Sequence, residues 1–366
     1  MVRQHQTRNL EIPGSMLAHR PRMTPRALCY SNLATFVKSG CRNCSIISEL
    51  ELSVGFAGGM VLALAIDAGL GWPERLFRTI GHPVTWLGGL IDFLDAAWNR
   101  DSDAPAFRCV CGAAAALVVI ALTVTLAWIV QEEVSAGWSR VAVVGILAWP
   151  FVALRSLDEH VAAVARPLQS GDIKAARSAV SRIVGRDPDS LDEAGVARAS
   201  IESLAENASD GIVAPVFWGV VFGLPGIVGY KAINTLDSLI GHRNSRHEAF
   251  GWAAARIDDV ANFIPARLTG VLFALVSAER RVAIRCMISD GPRHRSINAG
   301  WTEAAMAGAL GVRLSGPRIY HGEIADEPWL NPDARDPRAD DIAQGLALYR
   351  RAMWLLAFLL LILAFA

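Results

Sequence analysis

The chain carries several long apolar stretches that are interrupted by very few charges. The longest runs from Cys109 to Val130 without a charged residue, and another occupies 352–366 at the end of the chain. A helix of about 20 apolar residues crosses the roughly 30 Å hydrocarbon core of a bilayer. Further apolar stretches occupy 54–72, 141–154, 211–230 and 263–278. The pattern predicts an all-α fold, a polytopic membrane helical bundle with four to six spans and helical cytoplasmic segments.

Composition supports a membrane protein and excludes other classes. Of the 366 residues, 52% are hydrophobic and only 19% are charged, whereas about 25% are charged in a typical soluble domain. The 35 basic residues balance the 35 acidic ones, so no general attraction to nucleic acid is expected. Six cysteines in a chain of this length do not make a disulfide framework. The expected partner is therefore a lipid bilayer and not a nucleic acid.

Basic residues indicate which segments face the cytoplasm, because Lys and Arg are concentrated in cytoplasmic loops. They are frequent in 73–108, 155–210 and 279–351, whereas 131–140 holds a single arginine. These counts predict a protein of the inner (cytoplasmic) membrane with 131–140 outside. The polar segments that carry candidate chemistry then lie on the cytoplasmic side.

One apolar stretch conflicts with this orientation. If 211–230 and 263–278 were simple spans, the basic segment 231–262 between them would lie outside. Residues 211–230 hold five glycines and two prolines, a density typical of broken or re-entrant membrane segments. We expect 211–230 to enter the membrane and return, which keeps 231–262 cytoplasmic. The short stretch 263–278 is then expected not to cross either.

The first 53 residues differ in character from the rest. Before Glu49 they contain seven Lys or Arg and a single acid, Glu11, and they lack the continuous apolar core of a secretory signal. We expect residues 1–53 to be a basic N-terminal extension, either disordered or misassigned. Residues 54–366 are expected to form one membrane-embedded domain.

Chemistry is expected in four polar segments that border the apolar stretches. The first is a helix from a capping box at Ser190 to about Ala208, on which Glu202 and Glu206 lie one turn apart. Two carboxylates at this spacing could hold a divalent cation, although a solvated face with an ion pair to Arg198 explains the spacing alone better. The turn that follows adds polar groups at the mouth of an apolar segment: Asn207, Ser209 and Asp210.

The second segment repeats polar residues every three or four positions on an otherwise apolar helix: Lys231, Asn234 and Asp237. Such a stripe is expected to face a cavity or a ligand, because buried polar groups need partners, and the alternative is a helix at the membrane surface. The third segment combines acids with an arginine and an amide: Arg256, Asp258, Asp259 and Asn262. Its acids could hold Mg²⁺ bridging to phosphates, and the alternative is a surface charge patch.

The fourth segment is a glycine-bounded basic loop that leads into an alanine-rich helix. Its candidate residues are Arg293, His294, Arg295, Asn298 and Glu303. A basic loop before a helix N-terminus suits anionic oxygen, and the alternative is a basic patch at the membrane surface. The sequence contains no Walker A motif and no dinucleotide-binding glycine motif. A nucleotide would therefore bind through an unusual site.

Four ordered runs together resemble one known family. They are Ala199–Pro215 (ASIESLAENASDGIVAP), Tyr230–Gly241 (YKAINTLDSLIG), Phe250–Thr269 (FGWAAARIDDVANFIPARLT) and Asn298–Val312 (NAGWTEAAMAGALGV). In these runs the chain is similar to adenosylcobinamide-phosphate synthases, the membrane CbiB/CobD family of cobalamin biosynthesis, from about Val54 onwards. Ile297 and Thr302 stand where that family often has proline, and His242 where an aromatic residue is common.

The resemblance implies a ligase that joins aminopropanol, or its phosphate, to a propionate side chain of adenosylcobyric acid. ATP is the implied co-substrate and Mg²⁺ the implied cofactor, and association with other cobalamin-pathway enzymes is a further implication. Residues 54–366 would then be a cobalamin-biosynthesis synthase domain. The implied catalytic residues are Glu202, Glu206, Asp258, Asp259, His294 and Glu303. The implied metal ligands are Glu206, Asp237 and Asp258.

Substrate binding is assigned to the other polar groups of the same segments. These residues are Asn207, Ser209, Asp210, Lys231, Asn234, Arg256, Asn262, Arg293, Arg295 and Asn298. Within this set, the three cations Lys231, Arg293 and Arg295 suit phosphate oxygens. Since an amine must be neutral to attack, His294 or Glu303 is the candidate acceptor of its proton.

Two functions of other classes stay open at this point. A non-catalytic membrane sensor or assembly protein, similar to AmpE-like proteins, would need few convergent acids. A membrane phosphotransferase acting on a lipid alcohol would share the Mg²⁺ and phosphate chemistry, but it would need lipid-like access to its site. Corrinoid binding and turnover separate the three functions.

Overall fold

The structure is a computed structural model that describes residues 42–366 apart from 185–190, 243, 321–322, 326 and 366. The chain divides at Leu50, and apart from the first turns of α1 the features below belong to the compact unit Glu51–Ala366. Most of the predicted basic extension, residues 1–41, lies outside the described part.

Helices account for nearly all regular structure in the described residues. The first half contains α1 (Arg42–Leu70), α2 (Glu74–Ile80), α3 (Pro83–Trp98), α4 (Pro105–Glu132), α5 (Trp138–Ala148), a 3₁₀ turn (Trp149–Phe151), α6 (Leu154–Gln169) and α7 (Ile173–Val180). The second half contains α8 (Glu193–Ala208), a π turn (Ser209–Val213), α9 (Ala214–Phe222), α10 (Leu224–Ile240), α11 (Trp252–Ala261), α12 (Phe263–Val276), α13 (Arg280–Ser289), a 3₁₀ turn (Gly291–Arg293), α14 (Ala299–Leu310) and α15 (Ala339–Phe365).

Four short strands lie between α14 and α15 and form two antiparallel pairs. Strands β1 (Leu314–Ser315) and β4 (Trp329–Leu330) pair with Leu314 opposite Leu330. Strands β2 (Arg318–Tyr320) and β3 (Glu323–Ala325) pair with Ile319 opposite Ile324. These small sheets do not alter the fold class, and the predicted helical membrane bundle is confirmed.

Length and apolar composition allow three helical segments to cross a membrane. They are Pro105–Glu132, Trp138–Gln169 and Ala339–Phe365. Two further pairs pass the same test but are bent: Gly55–Leu70 with Glu74–Trp98 by 108°, and Trp252–Ala261 with Phe263–Val276 by 45°. The described residues therefore hold three to five candidate spans, which overlaps the predicted four to six.

The glycine-rich stretch 211–230 reverses direction instead of forming one continuous helix. Helix α9 ends at Phe222, the φ of +68° at the following Gly223 suits glycine, and α10 starts at Leu224. A Cβ at Gly226 would lie 2.0 Å from the carbonyl oxygen of Trp218, so the two helices lie side by side in contact. Helices α9 and α10 thus form a hairpin, as the predicted entry and return require.

Buried Gln131 at the end of α4 holds the tip of this hairpin. Its Oε1 accepts a hydrogen bond of 2.8 Å from the N–H of Leu224, which opens α10. That N–H belongs to the first turn of a helix and has no partner within the helix. The hairpin tip therefore lies level with the end of the α4 span.

Polar contacts place 231–262 beside 73–108. The Arg246 guanidinium pairs with Asp95 at 2.7 Å, and the Asn99 side chain donates to the Arg246 carbonyl at 3.0 Å. Arg108, at the start of α4, donates to that carbonyl as well. The two segments therefore share one end of the bundle, as predicted from their basic residues.

This arrangement predicts the outcome of cysteine labelling. In a background without native cysteines, we expect Ser102→Cys and Asn244→Cys to react from the same side of the membrane, and Ser139→Cys from the other side. All three positions are exposed, and α4 separates Ser139 from the first two. A membrane-impermeant maleimide applied to intact cells and to inverted vesicles makes the comparison. Labelling of positions 244 and 139 from one common side would contradict the hairpin path.

The core of the bundle is built around α8. Its residues Val196, Ile201 and Leu204 have no exposed surface, and the helix packs against α14 and α15. The predicted cap is wrong: α8 begins at Glu193, and the Asp192 carboxylate caps it by accepting from the Gly195 N–H at 2.8 Å. Asp and Ser are equally good N-cap residues, so the sequence pattern alone could not decide between Ser190 and Asp192. Ser190 lies outside the described residues.

Candidate active site

All four polar segments meet at one acidic recess of about 100 Å³. The recess lies where the end of α8, the C-terminal arm of the hairpin, α11 and the start of α14 converge. Its lining consists of Glu206, Ser209, Asp210, Asp237, Asp258, Asp259, Asn262, Ala266, Ser296, Asn298, Ala299 and Thr302. Residues almost 100 positions apart in the sequence thus form a single site, and five of them are carboxylates.

The π turn between α8 and α9 sets the direction of the first segment. Its wider hydrogen bond runs from the Ala214 N–H to the Ser209 carbonyl and inserts one extra residue into the helix. Ser209 and Asp210 both line the recess at this turn. Turns of this kind are frequent at functional sites because they re-aim side chains without ending the helix.

The hairpin brings the second polar segment, on α10, into contact with the first. Tyr230, on α10, places its hydroxyl 3.3 Å from the Asp210 carbonyl and donates to Asn262 Oδ1 at 2.8 Å. The Asn262 amide in turn donates to Asp258 Oδ2 at 3.0 Å. Tyr230 therefore connects three of the predicted segments through hydrogen bonds.

Two buried polar atoms in the recess wall have no hydrogen-bond partner among the described residues. They are Asp258 Oδ1 and the hydroxyl oxygen of Ser209, which is 1% exposed. Buried polar atoms are normally paired, and an unpaired one indicates a missing ion, water or ligand. The recess therefore offers a carboxylate oxygen and a hydroxyl to a bound group.

The positive charge of Lys231 acts on two acids of the recess, Asp210 and Asp258. The Lys231 ammonium donates to Asn234 Oδ1 at 3.1 Å. Burial, reinforced by Asp258 and Glu206, raises the pKa of Asp210 well above its usual value. Burial also raises the pKa of Asp237, with Asp259 adding to the effect. Both aspartates lie outside the candidate spans.

Asn298 ties the fourth segment to the third. Its amide donates to the Asp259 carbonyl at 2.9 Å, and its Oδ1 accepts from Arg267 at 3.1 Å. The Arg267 guanidinium lies over the rings of Phe263 and Trp301, with its central carbon 3.7 and 4.4 Å from their centroids. The Asp259 carboxylate forms an ion pair of 2.9 Å with the guanidinium of Arg256, which lies on the same helix.

Three predicted catalytic residues do not line the recess. Glu202 is buried and accepts a hydrogen bond of 2.7 Å from the Ser315 N–H, so it fixes β1. His294 and Glu303 are both buried, with His294 Nε2 3.8 Å from a Glu303 oxygen. The Ser296 N–H donates to His294 Nδ1 at 3.1 Å, so this pair lies directly behind the loop that forms one wall.

Six predicted substrate-binding residues also lie outside the lining: Asn207, Lys231, Asn234, Arg256, Arg293 and Arg295. The Asn207 amide donates to the Ser203 carbonyl at 2.9 Å, along its own helix. Arg293 and Arg295 are exposed, and Arg295 pairs with Glu327 at 3.3 Å. The two arginines remain at the surface of the loop, where a larger ligand could reach them.

The predicted metal ligands are gathered, although they do not form a complete metal site. Glu206, Asp237 and Asp258 all line the recess. Across the described chain, no group of three or more His, Cys, Asp or Glu side chains has a geometry that could hold a metal ion. Mg²⁺ commonly takes one or two protein carboxylates and completes its shell with phosphate and water oxygens. The magnesium site therefore stays a prediction.

Sequence reasoning missed several residues that shape the recess. Tyr230, Arg267 and Thr302 were not assigned a role, yet the first two organise its hydrogen bonds and the third lines it. A signal existed for Thr302, which lies one helical turn after Asn298. Tyr230 and Arg267 stand in apolar surroundings, where a single polar group can equally belong to the core.

Comparison with known proteins identifies the family. Residues 60–349 match the family described as CobD/Cbib protein, and this range contains every residue of the recess. No solved structure matches the chain.

Named relatives agree with that match. The chain is 63% identical over 300 residues to the Cobalamin biosynthesis protein CobD of Rhodobacter capsulatus, which covers 82% of this chain and 95% of the relative. It is 45% identical over 308 residues to the protein of the same name from Brucella suis, covering 82% and 94%. The corresponding protein of Rhizobium meliloti is 43% identical over 309 residues, with the same coverage. The chain therefore belongs to the CobD/CbiB family, and its role is in cobalamin biosynthesis.

Proposed function

We propose that the chain is an adenosylcobinamide-phosphate synthase, an ATP-dependent ligase that attaches aminopropanol or aminopropanol phosphate to adenosylcobyric acid. The observation that carries this proposal is the convergence of all four polar segments on one recess lined by five carboxylates. A non-catalytic sensor has no need of such a site. Membership of a cobalamin-biosynthesis family favours a corrinoid substrate over a lipid alcohol.

The proposed reaction has two steps. A carboxylate is a poor electrophile, so its oxygen first attacks the terminal phosphorus of ATP, and ADP leaves. The amine nitrogen then attacks the carbonyl carbon of the acyl phosphate, inorganic phosphate leaves and the amine loses a proton. We assign the binding of phosphate oxygens to Lys231, whose positive charge acts on Asp210 and Asp258. The surface arginines Arg293 and Arg295 suit the outer part of a large substrate.

The residues present fit a magnesium ion that arrives together with phosphate. Asp258 Oδ1 has no hydrogen-bond partner among the described residues, and Glu206 and Asp237 line the same recess. These three side chains would hold the ion, which when bound screens the negative charge of phosphate groups.

The proton of the incoming amine needs an acceptor at the recess. We assign this role to Asp210 in preference to His294 or Glu303, because only Asp210 of the three lines the recess. Its raised pKa makes its carboxylate a stronger base than an exposed aspartate. The five carboxylates that line the recess attract the amine in its charged form, before it is deprotonated.

The site is proposed to face the cytoplasm of an inner membrane, where ATP is available. Other enzymes of cobalamin biosynthesis are proposed partners, since the product must pass to the next step of the pathway.

Turnover in membranes that contain the protein tests the proposed function. Adenosylcobyric acid, ATP and Mg²⁺ are supplied with aminopropanol or with its phosphate, and corrinoid products are separated and identified. Amide product with one amine supports the ligase and identifies the donor. Absence of product and of corrinoid binding, from protein that is correctly inserted, would contradict the proposal and favour the lipid phosphotransferase.

Cation binding should depend on pH in a defined direction. Because the pKa values of Asp210 and Asp237 are raised, the folded apo-protein holds protons above the ordinary aspartate pKa of about 3.9, at which the unfolded chain loses them. Apo stability therefore falls as pH rises from that value through the raised pKa values. Mg²⁺ competes with these protons, so we expect the increase in Tm caused by Mg²⁺ and ATP to grow with pH. Tm measured by intrinsic fluorescence at several pH values checks this, and an increase that shrinks with pH would contradict it.

A further inference from the structure

The ring of Tyr230 is packed among apolar groups, and its hydroxyl is the single polar atom of the side chain. Tyr230 is 2% exposed, and its ring belongs to a small apolar cluster with Ala214 and Ala261, against which Trp218 and Ile233 pack. Close packing of this kind leaves a ring little freedom to move. The position of the hydroxyl is therefore fixed by the core of the protein.

This hydroxyl faces two oxygen acceptors at the wall of the recess. It lies 2.8 Å from Asn262 Oδ1 and 3.3 Å from the Asp210 carbonyl oxygen. A hydroxyl has a single proton to donate, and about 2.7–2.8 Å is the usual distance of an O–H···O hydrogen bond. The proton is therefore directed at Asn262, and the Asp210 carbonyl makes the weaker contact.

Donation from Tyr230 sets the orientation of the Asn262 amide. Asn262 is 1% exposed and lies at the joint between α11 and α12. While its oxygen accepts from Tyr230, its amide nitrogen donates to Asp258 Oδ2 at 3.0 Å. A flipped amide would place its oxygen against the carboxylate oxygen, and both atoms are acceptors. Tyr230 and Asp258 thus require the same orientation of this amide.

The two carboxylate oxygens of Asp258 therefore have different surroundings. Oδ2 accepts from Asn262, whereas Oδ1 is buried and has no hydrogen-bond partner among the described residues. The terminal torsion of an aspartate has a broad range, so a hydrogen bond to Oδ2 restricts how the carboxylate can rotate. Outer groups that orient a ligand in this way are a regular part of metal sites.

Asp258 differs in this respect from its neighbour Asp259. The Asp259 carboxylate is paired with the Arg256 guanidinium at 2.9 Å, so an opposite charge already acts on it. The amide that holds Asp258 is neutral. It orients the carboxylate and leaves its negative charge to act on a cation.

We propose that Tyr230 and Asn262 are positioning residues, which hold Asp258 Oδ1 in place for a divalent cation bound together with phosphate. We call the chain of hydrogen bonds from Tyr230 through Asn262 to Asp258 the tyrosine relay. Tyr230 acts through Asn262 and is not itself a ligand. The inference rests on the proposed function, because it takes Asp258 as a ligand of the cation.

Binding of Mn²⁺, a paramagnetic substitute for Mg²⁺, tests the tyrosine relay without turnover. Full-length protein in detergent is titrated with Mn²⁺ in the presence of a non-hydrolysable ATP analogue, and free Mn²⁺ is measured by electron paramagnetic resonance. Loss of an outer partner of a metal ligand weakens metal binding by about 10–100-fold. We expect a loss of about tenfold for Tyr230→Phe, which removes one oxygen atom and keeps the ring.

Tyr349→Phe is the matched control. Tyr349 is 1% exposed, and its hydroxyl donates to the Leu154 carbonyl at 2.8 Å, a contact that includes no residue of the recess. Each variant loses one hydrogen bond from a buried hydroxyl, so both should lower the Tm to a similar extent. Only Tyr230→Phe should weaken Mn²⁺ binding. Equal Mn²⁺ binding by the two variants would overturn the relay.

A double variant distinguishes a relay from two separate effects. Because Tyr230 acts through Asn262, adding Tyr230→Phe to Asn262→Ala should weaken Mn²⁺ binding no further than Asn262→Ala alone. Additive losses would contradict the proposed order of the hydrogen bonds. The comparison of the two phenylalanine variants stands by itself if Asn262→Ala does not fold.

Turnover separates this inference from the proposed function. In the ligase assay, Tyr230→Phe should raise the Mg²⁺ concentration for half-maximal rate by about tenfold and leave the KM for adenosylcobyric acid unchanged. Wild-type protein that binds Mn²⁺ but forms no amide would contradict the ligase and leave the relay supported. Full Mn²⁺ affinity in Tyr230→Phe would refute the relay and leave the ligase standing. Wild-type protein that binds no Mn²⁺ would refute both the relay and the proposed magnesium site.

Discussion

Replacing Asp258 by asparagine should slow turnover by about 10²–10³-fold while the protein still inserts and folds. Asparagine keeps the size of the side chain and an oxygen that can accept the hydrogen bond from Asn262, which is 3.0 Å in the wild type. It removes the negative charge at Oδ1, the buried oxygen without a partner among the described residues. Loss of one preorganised electrostatic group from a site that excludes water costs about 10²–10³-fold in rate. We expect a decrease of this size in the rate of corrinoid product formation.

Asp92→Asn provides the control for that experiment. Asp92 is an exposed acid on α3 and does not line the recess, so its neutralisation changes the net charge of the protein by the same amount. Membrane yield and corrinoid binding should be equal in both variants. Wild-type turnover in Asp258→Asn would remove this carboxylate from the reaction and with it the proposed phosphate and magnesium site.

Adding a single methyl group at Gly226 should destabilise the whole membrane domain. The new Cβ would lie 2.0 Å from the Trp218 carbonyl oxygen, which belongs to a helix backbone and cannot rotate away. The two arms of the hairpin would have to separate. Overpacking of side chains costs about 1–3 kcal/mol, and a clash with backbone should reach the upper end of this range. We expect Gly226→Ala to lower the Tm markedly and to reduce the yield of monodisperse protein.

The same change at Gly89 should have the opposite sign. A Cβ there meets nothing within 4 Å, and the position lies inside α3. Alanine in a helix interior is more favourable than glycine by about 0.8–1.0 kcal/mol. Thermal unfolding of both alanine variants in one detergent makes the comparison. Equal Tm values would show that the arms of the hairpin do not touch as described.

The apolar pattern was enough to predict the class of fold and most of the helices. Runs such as 109–130 must be helical in a bilayer, because no other local structure satisfies their backbone groups. The reversal within 211–230 was also predictable, since its glycines and prolines are incompatible with one smooth helix. Gly223 at positive φ and the close contact at Gly226 give that expectation a specific geometry.

The recess was predictable only in part. Helical spacing shows which residues share a face of a helix, but it does not show which other element packs against that face. Glu202 and Glu206 were assigned to one site since they are four residues apart. They lie about 6 Å apart along the axis, and Glu202 meets β1 while Glu206 meets the recess. Strand β1 follows more than 100 residues later, so no local pattern could reveal this contact.

The positions of His294 and Glu303 could not be predicted from their chemical type either. Both are ionisable and stand in a polar, glycine-bounded segment, which made them candidates for proton transfer. In the structure they are buried against each other, 3.8 Å apart, behind the wall of the recess. Chemical type alone could not distinguish a group in the wall from a group behind it.

The π turn at Ser209–Val213 also limits how the length of this chain can vary. Each residue of an α-helix turns the chain by about 100°, and the π turn holds one residue more than a regular turn. Removing one residue here would rotate α9 and everything after it by about a quarter of a circle relative to α8. The return arm would then bring a different face to Asp210. Between Ala208 and Phe222, insertion or deletion of one residue should therefore disrupt the recess even where it removes no residue that lines it.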